Sequence, residues 1–302
     1  MVSVKSVLDR VAVNTVFGAI AVNTIFGAIA IAQYSLLTSA LLTYGICPML
    51  ILIVLGVTLG KNYLILGLEE MYAFWFPWIK PDTRQQPKSA YIGEFHVYLW
   101  ASTLIESLTV TMIALLMPFG PLPETYAEYV FSYALFFPIM FCWELIFDFF
   151  HYWTHRMSHD GVLYKYLHKT HHKHRFPTGI TTFYQDPVDL VISNSIPTMV
   201  AFGIVMGILG IPLNLFQLSL ISVWKTMVEI GGHLGHVLDP ASSFPQFVWL
   251  PKWLGIELYV SDHDIHHSDF NYNFAKRFGL WDRVFGTYKQ SDHIKSNSPL
   301  ST

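Results

Sequence analysis

Two long stretches without a charged side chain dictate what this chain can become. Ala12–Ala32 and Leu36–Gly60 contain no Asp, Glu, Lys or Arg, and either is long enough to cross a hydrocarbon core of about 30 Å as a helix. A secretory signal would have a shorter apolar core and a polar mature start, so the reading is a retained membrane hairpin. Within it AVNTVFGAI (12–20) is followed at once by AVNTIFGAI (21–29), a local duplication rather than a solenoid repeat. Further apolar runs at Tyr98–Gly120, Tyr129–Phe150 and Ile192–Trp224 predict two more crossings and a second hairpin, the last run being broken by Gly210-Ile211-Pro212. Composition agrees, with 53% hydrophobic and only 13% charged residues, against about 25% charged in soluble domains.

A net charge of −3 leaves no basic stripe for nucleic acid. Cys47 and Cys142 lie in apolar runs and imply no disulfide framework. The expected fold is therefore all-α and membrane-integral, with about four transmembrane helices, a further membrane hairpin and a histidine-rich helical cap. Residues 1–95 would form the first hairpin and a basic loop, and residues 96–302 the catalytic portion, with its core at about 129–290. Lys5 and Arg10 precede the first run, and Lys61, Lys80, Arg84 and Lys88 are assigned to the loop after the second. Arg156, Lys165, Lys169, Lys173 and Arg175 follow the fourth run, while the Pro121–Glu128 loop has Glu124 and Glu128 but no cation. By the positive-inside rule the N-terminus and every basic segment, the cap included, are cytoplasmic.

The 14 histidines are clustered. At about 100° per residue Glu144, Asp148, His151, His155 and His159 share an arc of about 80° on one helix face. A lipid-facing helix cannot tolerate such a face, and intramembrane ionisable groups normally turn toward a functional interior. His168, His171 and His172 repeat the clustering, as do His263, His266 and His267, and Glu229, His233 and His236 follow the last apolar run. Imidazole binds zinc, copper, iron or nickel, and one ion needs only three or four protein ligands. Eight to ten convergent histidines suit two metals. Glu144, Asp148, Glu229 and Asp264 stand near enough in sequence to accept the second ring N–H of a ligand. His96, His174 and His293 are read as ordinary core or surface residues, and His151 and His236 stay open between ligand and neighbour.

These boxes resemble the fatty acid hydroxylase / sterol desaturase superfamily of membrane oxygenases. HRMSHDGVLYKYLHKTHH (155–172) holds its HRxxH box, spacer and HxxHH box; HDIHH (263–267) is the third, and LWDRVFGTYKQ (280–290) is similar to its closing signature. The resemblance implies two non-haem irons, O2, and oxidation of an unactivated C–H bond of a lipid. It carries His155, His159, His168, His171, His172, His263, His266 and His267 over as ligands. His233 falls where the family places a further histidine. Asp148, Glu229 and Asp264 are expected beside the ligands. Two positions depart from the family pattern: His236 stands at a tyrosine position, and Asp186-Pro187-Val188-Asp189 where relatives often have His-Pro-x-Glu.

No dinucleotide, flavin or haem signature is present, so the resemblance implies electrons from NAD(P)H through a separate carrier. That carrier would be cytochrome b5 or a reductase, docking on Lys165, Lys169 and Lys173. The family and the charge sidedness imply the endoplasmic reticulum membrane. The spacer and tail are closest to C-4 methylsterol oxidases. Sterol C-5 desaturases, side-chain or terpenoid hydroxylases and sphingolipid or fatty-acyl hydroxylases are alternatives within the class. Outside it stand a zinc hydrolase, which lacks an HExxH here, a metal transporter, which would place its ligands near the midplane, and a metal-bound scaffold.

Overall fold

The computed structural model describes residues 16–75, 92–235 and 244–291. His236, His293 and the cations Lys5, Arg10, Lys80, Arg84 and Lys88 lie outside them. Every element among the described residues is helical, and five helices are long and apolar enough to cross a bilayer. The expectation of an all-α chain with four crossings and a further hairpin is met in that form.

The first hairpin turns later than the charge-free runs suggest. α1 spans Val16–Tyr44 and α2 spans Pro48–Trp75, so the reversal falls at 45–47 rather than between Ala32 and Leu36. Gly45 takes φ 64° and Pro48 opens α2. Glycine reaches that conformation without a Cβ clash, and proline at a helix start forfeits no hydrogen bond. Ser35 stays inside α1 because its hydroxyl donates to the Ile31 carbonyl at 2.8 Å.

α2 also runs on past Gly60. Lys61 is accordingly not a loop cation but a buried residue, ion-paired with Glu106 of α3 (Ile92–Leu116). A charge inside such a bundle requires a partner of opposite sign.

α4 (Tyr126–Ser158) opens with a capping box in which Thr125 and Glu128 satisfy each other's backbone N–H groups. Its 33 residues extend about 50 Å at 1.5 Å each, well beyond a 30 Å hydrocarbon core. The surplus carries the polar C-terminal turns out of the apolar layer.

The interrupted run is a hairpin, as expected, but begins earlier. α5 (Pro187–Ile208) contains π-helical stretches at Val191–Ser195 and Gly203–Ile208, and the chain reverses at Gly210, φ 63°. Gly203 and Gly207 of this run face open space where a Cβ would stand. α6 (Leu215–Gly231) returns through the middle of the bundle, largely buried and packed on α1, α2 and α4.

Trp224 of α6 meets Phe26 of α1, and Trp143 of α4 stacks on Phe147 and packs against Phe202 of α5. Beyond α6, the described residues form three short helices, α7 (Trp249–Leu254), α8 (Val260–Ser268) and α9 (Leu280–Val284). The C-terminal ends of α4 and α6, the turns between α4 and α5, and α8 all meet at one end of the bundle.

Candidate metal centre

α4 places the predicted polar face inward: Glu144, Asp148, His151 and His155 are all buried. The chain then leaves α4 at His159 and passes through a π turn (Tyr164–His168) and a 3-10 turn (His171–Lys173), which bring His168, His171 and His172 back over the helix end. His233 follows α6, and α8 supplies His263, His266 and His267.

The imidazoles sort into two groups. His155, His159, His168, His172 and His266 form one; His171, His233, His263 and His267 form the other, with candidate ligand atoms within 4.8 Å of one another in each. All nine histidines expected as ligands are thereby brought together. The paired histidines are divided between the groups, His171 from His172 and His266 from His267. Each HH pair thus contributes one ring to each group, with ring centroids 5.4 Å and 5.8 Å apart respectively.

Hydrogen bonds fix which ring nitrogen is bare. His155 Nδ1 donates to the Phe274 carbonyl at 2.7 Å, and His168 Nδ1 donates to the Asp189 carboxylate at 2.8 Å. Both Nε2 atoms are then lone-pair acceptors, and they face each other at 3.0 Å. Likewise His233 Nδ1 donates to the Glu229 carbonyl at 2.8 Å, leaving its Nε2 bare at 3.2 Å from His263 Nε2. His266 Nδ1 donates to the Tyr272 carbonyl at 2.8 Å, and its Nε2 is buried without a partner, as are both ring nitrogens of His267. Opposed lone pairs in a buried pocket repel unless a cation lies between them. The donor set therefore fits metal ions.

Burial also keeps seven of the rings neutral. Burial, with His168 nearby, brings His159 down to about 3; burial, with Lys276 nearby, does the same for His233. His171, His172, His263, His266 and His267 are pushed well below the ordinary imidazole range, foremost by burial. A neutral ring offers the lone pair that a metal needs.

The supporting residues differ from those expected. Asp148 touches no ligand ring; its carboxylate accepts the backbone N–H groups of Lys276, Arg277 and Phe278 at 2.8, 2.8 and 3.0 Å. Glu229 holds His233 through its carbonyl, while its carboxylate pairs with Lys276 and Arg277. Asp264 is half-buried beside His263 and belongs to neither group. A carboxylate that does hold a ring of these groups, that of His168, is Asp189, buried in the first turn of α5. Asp189 is the acid of the Asp-Pro-Val-Asp segment, so the signal lay in the position where relatives often carry Glu. The carbonyls of Phe274 and Tyr272 leave no sequence signature.

His151 lies one turn deeper, its Nδ1 on the Ser193 carbonyl at 2.6 Å, and belongs to neither group. With His155, His168, His171 and His263 it lines a small cavity closed by Gln185, Ser193, Asn194 and Lys276. His174 packs edge-on against Tyr184, and His96 meets the Tyr63 hydroxyl.

A family model described as fatty acid hydroxylase matches residues 139–287, which contain all nine clustered histidines. The chain is 29% identical over 215 residues to a C-4 methylsterol oxidase of Schizosaccharomyces pombe, covering 68% of this chain and 62% of that protein. It is 33% identical over 145 residues to methylsterol monooxygenase 1 of Rattus norvegicus, covering 46% and 43%, and 31% identical over 145 residues to its namesake in Gallus gallus, covering 47% and 43%. The chain spans about half the length of the curated relatives it matches. No solved structure matches it. That family match lies on the segment that builds both histidine groups, and over residues 139–287 the chain is similar to the fatty acid hydroxylase family.

Proposed function

We propose that the two histidine groups hold two iron ions and that the protein oxidises a C–H bond of a methylated sterol in the membrane with O2. The observation that carries this reading is the facing Nε2 atoms of His155 and His168, each with its Nδ1 committed elsewhere, together with the bare Nε2 of His233 directed at His263 in the other group. Bound iron would supply the reduction of O2 to an oxidant strong enough for an unactivated C–H bond. The chain's own residues do the rest. Asp189 and the carbonyls of Phe274, Tyr272 and Glu229 fix the tautomers of four rings, so that the lone pairs converge. The apolar helices around the site admit a water-insoluble substrate and keep bulk water out.

The reading includes a cap and N-terminus facing the cytoplasm of an endoplasmic reticulum membrane, supported by the cations that follow α4 and by the acidic 121–128 loop. Electrons would arrive from NAD(P)H through cytochrome b5 or a reductase. Lys165 and Lys169 offer a basic docking face with Lys173, which already pairs with Glu94 at 2.6 Å. The substrate class follows from the methylsterol oxidases to which the chain is similar.

The test combines metal and product. Purified full-length chain is expected to hold about two irons and to convert a 4-methylsterol to its oxidised product with O2 uptake. Two zinc ions with O2-independent turnover, or metal-free protein that remains active, would refute it.

A further inference from the structure

A second, open-mouthed cavity lies among α2, α3, α5 and α6, and Gln185 and Asn194 line both it and the histidine cavity. α6 serves as a ruler along its wall. Glu229 marks the histidine end, and Leu218 lies about 16 Å away at 1.5 Å per residue. The wall changes character over that length: Glu106, Thr226 and Asn62 near the histidines give way to Ile221, Leu218 and Ile113. A cavity with this gradient suits an amphiphile rather than a uniformly apolar chain.

The polar end is organised and incomplete. Lys61 Nζ donates to Glu106, to Thr226 Oγ1 at 2.7 Å and to Ser222 Oγ at 3.2 Å. Glu106 Oε2 accepts from Asn62 Nδ2 at 3.1 Å. A carboxylate only accepts, so the Asn62 amide cannot be flipped, and its oxygen is the atom left over. That Oδ1 is buried without a partner in a side chain that lines the cavity and is 1% exposed. The Thr198 hydroxyl on the same wall is also buried and unpartnered. Buried acceptors are costly when unmet, and this one calls for an O–H donor.

We infer that this cavity receives a hydroxylated polycyclic lipid with its hydroxyl end toward the histidines. The hydroxyl donates to Asn62 Oδ1, and the hydrocarbon extends toward Ile113 and Leu218. Oxidation then falls on the hydroxyl-bearing ring and not on the hydrocarbon tail. The inference rests on the sterol oxidation proposed above and adds the residue that selects the substrate and sets its direction. Asn62, Glu106 and Ile113 lie outside the segment that matches the family model.

The experiment uses the metal-loaded full chain in membranes with two substrate pairs: a 4-methylsterol against its 3-deoxy analogue, and the same sterol against a form lacking the side chain. Wild type is expected to prefer the hydroxylated form by about tenfold in kcat/KM, the worth of one hydrogen bond to a buried acceptor. In Asn62→Leu, and in the smaller Asn62→Ser should the first fail to accumulate, that ratio falls to about one. Leu218→Trp shortens the far end, lowering turnover of the full-length sterol while sparing the form without a side chain and leaving the hydroxyl preference intact. A preference that survives in an Asn62 variant with wild-type metal content overturns the inference, as does a Leu218→Trp penalty that persists without the side chain. Wild-type turnover that ignores the hydroxyl overturns the inference alone, whereas no turnover of any sterol overturns the sterol reading with it.

Discussion

Acid is expected to dismantle the histidine cluster over a defined pH window. His159 and His233 sit at about 3 in the folded chain, against 6.5 for a free imidazole. The unfolded chain therefore binds more protons below 6.5, and the stability tied to these rings is fully present above that pH and lost as it falls toward 3. One unit below 6.5, each such ring costs about 1.4 kcal/mol, and two units below about 2.7 kcal/mol. For the two rings together this is about 3 kcal/mol at pH 5.5, a large share of the 5–15 kcal/mol that holds a typical domain. Metal lowers the midpoint further, because protons must displace it from the same lone pairs. Thermal melts of metal-free, detergent-solubilised protein between pH 7.5 and 4.5 provide the assay, with metal release followed in parallel on loaded protein. A melting temperature that is flat across that range would show that these rings are neither buried nor neutral as described.

The remaining expectations are local. Asp189→Ala removes the acceptor of His168 Nδ1 and should weaken metal binding in the five-histidine group by 10- to 100-fold; chelator titration should then strip one ion well before the other, and simultaneous loss of both would contradict the two-group assignment. Lys61→Met leaves Glu106 with an uncompensated charge and should cost about 3–5 kcal/mol, while Lys61→Met with Glu106→Gln recovers most of it, read from thermal midpoints. Asp148→Ala abandons three buried backbone donors at about 1–3 kcal/mol each; hydrogen exchange at Lys276, Arg277 and Phe278 should rise before metal is lost.

Much of this architecture was legible in the chain. Helix identity followed from apolar length, and the gathering of the histidines followed from their spacing, because both depend on local periodicity. What was misread depends on contacts between distant segments. Lys61 looked like a loop residue because a charge normally ends an apolar run, and only Glu106, 45 positions away, lets the helix carry it inward. Asp148 looked like a ligand's neighbour because it shares a helix face with His151 and His155, yet its carboxylate faces a loop 128 residues further on. The first turn falls at 45–47 because Gly45 and Pro48 carry a stronger backbone signal than the absence of charge does.

The closing Trp-Asp-Arg-Val-Phe-Gly-Thr segment shows how a motif recognised by likeness acquires a physical reason. Asp282 accepts the backbone N–H groups of Phe274 and Ala275 at 2.8 and 2.9 Å and the Thr287 hydroxyl at 2.7 Å. That clamp orients the peptide whose Phe274 carbonyl holds His155. Asp148 clamps the next three amides from the side of α4, and Glu229 ties Arg277 and Lys276 to α6. Trp281 fastens the segment to α4 through the Leu145 carbonyl at 3.2 Å. Three carboxylates far apart in sequence thus immobilise one short loop, and through it the ring of His155 and the carbonyl that sets its tautomer. The loop contains no ligand, but its displacement would release the His155 tautomer on which one of the two groups depends. A histidine box fixes which nitrogens are available; this acidic lattice fixes where their lone pairs meet.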